Sequence, residues 1–247
     1  MVPGEPAFLL VVLAAFATGA LSAMVGMAGG ITLLSIMLLV LDPLEAIPLH
    51  GAVQLVSNGS RTLLQRRHVQ VRLLLPYCAL LLPMGYLGLG VAHELPPTAL
   101  KAAIGVFILI ATWRPGWLRL PDRRTGSERT HFLLLGAAAG FLQTTVGAVG
   151  PLLAPFFLRL NLSRFGLIGT KAACQSAGHL TKLVLFGAIG FPFASHGALL
   201  GTMACSVALG TLAGTHLLAR TDDRTFVHLY RLVLSCTALR LVLSPAL

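Results

Sequence analysis

The chain has 247 residues, of which 56% are hydrophobic and 11% charged, and its net charge is +10. Soluble domains carry about 25% charged residues, so this composition excludes a soluble globular domain, a disordered chain and a collagen-like fibre. It predicts an all-α polytopic membrane protein. The basic residues lie in short gaps between apolar runs, which indicates membrane topology rather than nucleic-acid binding.

Apolar segments follow one another along the whole chain, five on each side of a polar, basic linker. The first segment differs from a signal peptide because Glu5 precedes it and no Lys or Arg does. The second segment of each half is short, so each first pair of segments is predicted to form a hairpin whose glycine-rich tip stops inside or at the far face of the membrane. In chain order the segments are 8–25, 31–41, 44–65, 73–92, 98–113, 132–146, 152–160, 165–186, 197–219 and 226–243.

The two halves of the chain look like copies of each other. A shift of 121 residues lays Gln54 on Gln175 and Arg61 on Lys182, and it also superposes glycines of the two halves. Five segments per half is an odd number, so the copies must point in opposite directions, as in the inverted repeats of secondary transporters. We expect a first inverted repeat at 1–113, a basic cytoplasmic linker at 114–130 and a second inverted repeat at 131–247. The chain is expected to have about eight full spans. Two further short helices, one in each half, are either re-entrant or full spans.

The positions of the basic residues predict the orientation. If the turn containing Arg66, Arg67 and Arg72 is cytoplasmic, alternation also places the linker and two further basic turns inside. The predicted outer segments hold four acidic residues and few cations. We therefore expect a multi-pass protein of the cell membrane with both termini on the outer face.

The third segment of each half carries polar residues on one face of the predicted helix. In the first half, Asp42 and Pro43 predict a helix start, with Asp42 as the cap and Glu45 reaching back to it. A lone polar residue in a membrane helix often only joins two helices, but a polar face repeated in two helices indicates a substrate path. At about 100° per residue, one sector of the first helix holds His50, Gln54, Ser57, Asn58 and Arg61, and the same sector of the second holds Lys171, Gln175, Gly178, His179 and Lys182.

The charge in these predicted spans is positive. Every Asp and Glu falls in a loop or at a helix end, so no buried carboxylate is expected that would bind a cation. A path lined by cations and amides favours an anion. Gly29, Gly30 and Gly150 come just before or at the start of the short helices, where free backbone N–H groups and the helix dipole also favour an anion, although such glycines also serve close helix packing. We expect no cofactor and no metal site.

The order of these features resembles a known family. An apolar helix leads to Val25-Gly26-Met27-Ala28-Gly29-Gly30, then to a short helix, a proline turn, a polar-faced helix and a basic turn, and the second half repeats the scheme. In this the chain resembles the TauE/SafE sulfite exporter family, also called the toluenesulfonate uptake permease family. The glycine run is less continuous than is usual in the family, Pro151 replaces a further glycine, and His50-Gly51 stands where Gly-Thr is common. The resemblance implies ATP-independent transport of sulfite, sulfonates, thiosulfate or small organic anions.

The sequence therefore predicts a secondary transporter of a small anion, not an enzyme. The expected ligands are Gln54, Asn58, Gln175, His179 and the hairpin tips, while Lys171, Lys182, Arg61 and His50 supply positive potential. Several alternatives stay open at this point: a passive anion channel, a non-catalytic membrane subunit, and an intramembrane enzyme with a histidine base. Proton coupling through His50 or His179 and assembly as a homodimer also stay open. The sequence does not specify the anion or the direction of transport.

Overall fold

The computed structural model describes residues 4–25, 29–118, 127–157, 160, 162–217 and 223–243. These residues form α-helices joined by short turns and contain no strand, which confirms the predicted all-α class. The helices are α1 (Glu5–Val25), α2 (Gly29–Met37), α3 (Pro43–Leu64), α4 (Val71–Ala79), α5 (Leu81–Glu94), α6 (Pro97–Trp113), α7 (Glu128–Thr145), α8 (Gly150–Phe157), α9 (Arg164–Ala188), α10 (Gly197–Leu217) and α11 (Asp223–Leu243).

One predicted span is broken. The segment expected at 73–92 consists of α4 and α5, whose axes differ by 42°. The cause lies in Pro83, which has no N–H to donate to the carbonyl of Ala79, the last residue of α4. The fourth element of the first half is therefore a bent pair, whereas its counterpart α10 is one continuous helix.

Two stretches of the described residues are long and apolar enough to cross a membrane, Glu5–Ser22 and Phe193–Gly214, and the bent pair α4–α5 makes a third if it counts as one span. The helices α3 and α9 are long, with 22 and 25 residues, but their polar residues lower their hydropathy. The eight full spans expected from the sequence thus remain a prediction.

The long helices pack chiefly across the two halves of the chain. The main partner of α1 is α10, that of α7 is the pair α4–α5, and α3 packs against α9 and α6 against α11. Gly19 and Gly140, which match in the 121-residue register, allow α1 to approach α10 closely and α7 to approach α5 closely. A Cβ added at Gly19 would lie 2.6 Å from the carbonyl oxygen of Val207, and one at Gly140 would lie 2.6 Å from that of Leu81. This packing brings the polar helices α3 and α9 together between the two hairpins.

The start of α3 differs from the prediction. Asp42 precedes Pro43 in an extended conformation, but its side chain makes no capping hydrogen bond and lies 3.7 Å from Lys101 instead. Glu45 does not reach back either, because its Oε1 accepts a hydrogen bond from His196 Nε2 at 3.0 Å. Contacts with α6 and with the turn before α10 therefore replace the expected local cap.

Candidate functional site

The polar faces of α3 and α9 meet in the interior of the protein. The rings of His50 and His179 lie edge to face with centroids 5.8 Å apart. They are only 1% and 3% exposed. The two histidines, one from each half, therefore mark the point where the predicted polar faces come together.

A small cavity lies beside these histidines, between the polar helices and the two hairpins. It offers about 20 Å³ to the centre of a water-sized sphere, whereas one water needs roughly 10–15 Å³ on the same measure. The site in this conformation is therefore too small for a polyatomic anion. Its lining consists of Ser22, Gly30, Ile31, His50, Gln54, Asn58, Arg61, Ala148, Val149, Gly150, Gln175 and His179.

The side chains of α3 at the cavity are held within the first half. His50 Nε2 donates to the carbonyl oxygen of Gly30 at 2.8 Å, which ties α3 to the start of α2. Asn58 donates to the carbonyl oxygen of Gln54 at 3.0 Å and to its side-chain oxygen at 3.4 Å. Arg61 donates to the hydroxyl of Ser57 at 2.9 Å. A guanidinium has five N–H donors, so Arg61 keeps further donors for a ligand.

The hairpin of the second half shapes the opposite wall. Between α7 and α8, Gly147 has φ +84°, a left-handed conformation in which a side chain would be strained. The next residues, Ala148 to Gly150, line the cavity and lead into α8. The first N–H groups of a helix have no partner within it, so this wall can offer backbone donors. In the first hairpin, Gly30 lines the cavity, while residues 26–28 of the predicted glycine motif lie outside the described residues.

Three residues predicted for the site do not line the cavity. Lys182 is fully buried behind it, and its Nζ donates to the carbonyl oxygens of Gly147 at 2.7 Å and of Ile47 at 3.4 Å. Lys171 is 5% exposed and is not part of the wall. Gly29 faces α1 instead, where an added Cβ would collide with Ser22 and Thr18. The other eight predicted residues do line the cavity.

The prediction missed two polar residues, Ser22 and Gln143. Ser22 lines the cavity directly, and Gln143 lies behind His179 with its Nε2 3.4 Å from His179 Nδ1. The two residues are 121 positions apart, near the ends of α1 and α7. The repeat register that paired Gln54 with Gln175 would therefore also have paired Ser22 with Gln143.

The charge around the cavity has one sign. Arg61 lines it, Lys182 lies directly behind it, and none of the residues in its wall is an Asp or Glu. Within the described part of the chain, no group of three or more His, Cys, Asp or Glu converges as a metal site requires. Amide, imidazole and guanidinium donors without a counter-charge form a site suited to an anion.

An all-helical fold rich in apolar helices, built around such a buried site, defines the protein as a helical membrane protein with an anion-compatible interior. The family model described as sulfite exporter TauE/SafE matches residues 11–241. The chain therefore belongs to the TauE/SafE sulfite exporter family of membrane transporters, as the sequence resemblance predicted. No curated protein and no solved structure matched the chain.

Proposed function

We propose that this protein is a secondary transporter that carries a small anion, a sulfur oxyanion or organosulfonate, across the cell membrane. The observation that carries the proposal is the chemistry of the cavity wall, which offers amides, histidines and an arginine and has no carboxylate among its residues. An anion that leaves water needs donors of this kind to replace its hydration. Family membership supports the same substrate class.

The roles of the residues follow from their donors. Gln54, Asn58 and Gln175 hold the oxygens of the anion with neutral N–H groups, and His179 adds a ring N–H. Arg61 pairs with two oxygens at once, since a guanidinium fork matches an oxyanion better than an ammonium does. Lys182 and Lys171 act through their positive potential, and His50 holds the start of α2 in place through Gly30.

Transport proceeds by alternating access between two inverted repeats, 1–113 and 131–247. Support comes from the helix packing. If each helix is replaced by its counterpart in the other half, the contact of α1 with α10 becomes the contact of α7 with α4–α5, which is also present. The contacts of α3 with α9 and of α6 with α11 are unchanged by the exchange. A pseudo-twofold axis requires such a pattern. In this mechanism the small cavity enlarges when one repeat moves against the other. We also propose that both termini are on the outer face, as the distribution of the basic residues predicts.

The direct test is a thermal-shift panel on the purified protein with sulfite, sulfate, thiosulfate, sulfoacetate and taurine. A ligand that binds only the folded state raises the melting temperature by an amount that grows with the ratio of its concentration to its Kd. We expect one or more sulfur anions to stabilise the wild type. The effect should be lost in Gln54→Ala/Gln175→Ala and retained in the control Gln70→Ala, whose side chain contacts the carbonyl of His68 outside the cavity.

Proteoliposomes then separate a carrier from a passive channel. A carrier shows saturable uptake that is stimulated by the same anion on the opposite side, whereas a channel does not show this counterflow. A wild-type protein that neither binds nor moves any anion of the panel would refute the proposal.

A further inference from the structure

Gln143 is a buried amide that no role in the proposed site accounts for. It lies on α7, is 1% exposed, and does not belong to the cavity wall. Its Nε2 is 3.4 Å from Nδ1 of His179. Its Oε1 is buried and has no hydrogen-bond partner among the described residues. A buried amide oxygen without a hydrogen-bond partner costs free energy. The contact that the same side chain makes through Nε2 is therefore expected to have a role.

The neighbouring helix is shaped to admit this side chain. A Cβ added at Gly178 would lie 2.5 Å from Gln143 Nε2, so any larger residue there would displace the amide. In the 121-residue register, the first half has Ser57 in place of Gly178 and Ser22 in place of Gln143. The second half therefore combines a long amide with a glycine that makes room for it, directly before His179 in α9.

In this structure Nε2 of Gln143 faces the ring, and this amide orientation indicates which ring nitrogen of neutral His179 carries the proton. An amide NH₂ group only donates, so the nitrogen that faces it, Nδ1, must present its lone pair. The proton then lies on Nε2, and His179 can offer the cavity an N–H group. With the opposite tautomer, a ring lone pair would face the cavity and repel an anion.

We propose that Gln143 is a positioning residue that fixes His179 as a hydrogen-bond donor to the bound anion. The inference rests on the proposed function, since it presumes an anion beside His179. It adds a residue outside the cavity wall whose role is to select the tautomer, and it explains why α9 has a glycine at position 178.

The test is Gln143→Glu, which keeps the shape of the side chain and reverses its chemistry. A carboxylate only accepts, so the proton of neutral His179 moves to Nδ1 and the opposite nitrogen is left with a lone pair. At pH 8 we expect the affinity for thiosulfate, which keeps its charge over this pH range, to fall about tenfold, the effect of one lost hydrogen bond. At pH 5.5 the doubly protonated ring again carries an N–H on that nitrogen, and the affinity should recover.

The other charged and titratable groups near His179 are common to both proteins. They are His50 and Arg61 on α3, and Lys182 on α9 itself. The wild-type profile, measured by calorimetry at the same two pH values, therefore corrects for their titration. Gln70→Glu introduces the same carboxylate outside the cavity and should follow the wild type.

A second variant keeps the inference testable if the glutamate variant does not fold. Gln143→Met removes the amide at similar volume, so we expect a several-fold loss of affinity at pH 8. Wild-type affinity and pH profile in both variants would overturn the inference but leave the proposed function intact. A wild type that binds no sulfur anion would instead overturn the proposed function, and the inference with it.

Discussion

The two polar helices α3 and α9 come from matching positions of the two halves, yet their side chains are held differently. On α3, the short hydrogen bonds of His50, Asn58 and Arg61 go to Gly30, Gln54 and Ser57 of the first half. These three residues also line the cavity. The first half therefore presents these three side chains to the cavity directly.

The polar side chains of α9 depend on other elements. His179 contacts Gln143 of α7, and Lys182 donates to Ile47 of α3 and to Gly147 of the second hairpin. Lys182 thereby joins the two halves from a position behind the cavity. Arg61 and Lys182 match in the repeat register, but Arg61 lines the cavity and Lys182 lies behind it.

Beside Lys182, the two halves differ by a single methyl group. Lys182 lies over Gly51, where an added Cβ would be 2.8 Å from its Cδ. The residue that matches Gly51 in the second half is Ala172, which is 2% exposed. The second half thus has a methyl group at the position where Gly51 leaves room for the side chain of Lys182. Residues that match in sequence register thus differ in role because of the neighbour they pack against.

The largest expected effect is that of Lys182→Met, which removes the hydrogen bonds of Lys182 to Ile47 and Gly147 at nearly constant volume. Hydrogen bonds to a charged group contribute about 1.5–3 kcal/mol, and the positive charge behind the cavity is lost as well. We expect anion affinity to fall roughly 10- to 100-fold, measured by calorimetry or by the KM of uptake. Lys101→Met, beside Asp42 at the start of α3, is the matched control and should bind as the wild type does. Unchanged affinity in Lys182→Met would show that the lysine has no part in binding.

A smaller effect is expected for Gly51→Ala, which makes the two halves alike at this position. The new methyl group displaces Lys182, so we expect the free energy of unfolding to fall by about 1–3 kcal/mol, as for other overpacked interiors. Gly59→Ala in the same helix is the control, because an added Cβ there meets nothing within 4 Å. It should instead stabilise α3 by about 0.5–1 kcal/mol. Thermal unfolding in detergent compares the two variants, and equal melting temperatures would contradict the packing argument.

The smallest effect is expected for Glu45→Gln in the first turn of α3. The side chain of Glu45 is 28% exposed and pairs with His196 at 3.0 Å. Partly exposed ion pairs contribute about 0–1 kcal/mol, and glutamine still accepts the hydrogen bond. The melting temperature should therefore change little relative to Glu94→Gln, which alters an exposed carboxylate at the end of α5. A large loss would mean that this contact contributes more to stability than a partly exposed pair does.

The sequence by itself determined the helices and the composition of their faces. Apolar runs and the helical period are local properties, so the predicted segments match the observed helices except where Pro83 divides one of them. The polar sectors of α3 and α9 were also readable, because residues three and four apart share a helix face. Eight of the predicted site residues accordingly lie at the cavity.

Only the tertiary structure decided which polar residues meet. The contacts of Lys182 with Gly147 and of Gln143 with His179 join residues 35 and 36 positions apart on different elements. Glu45 likewise found a partner 151 residues away instead of its own helix end. Such contacts depend on how closely two helices approach, and here small residues such as Gly51 and Gly178 set that approach. Neither periodicity nor composition encodes this distance, because it depends on the shapes of both surfaces at once.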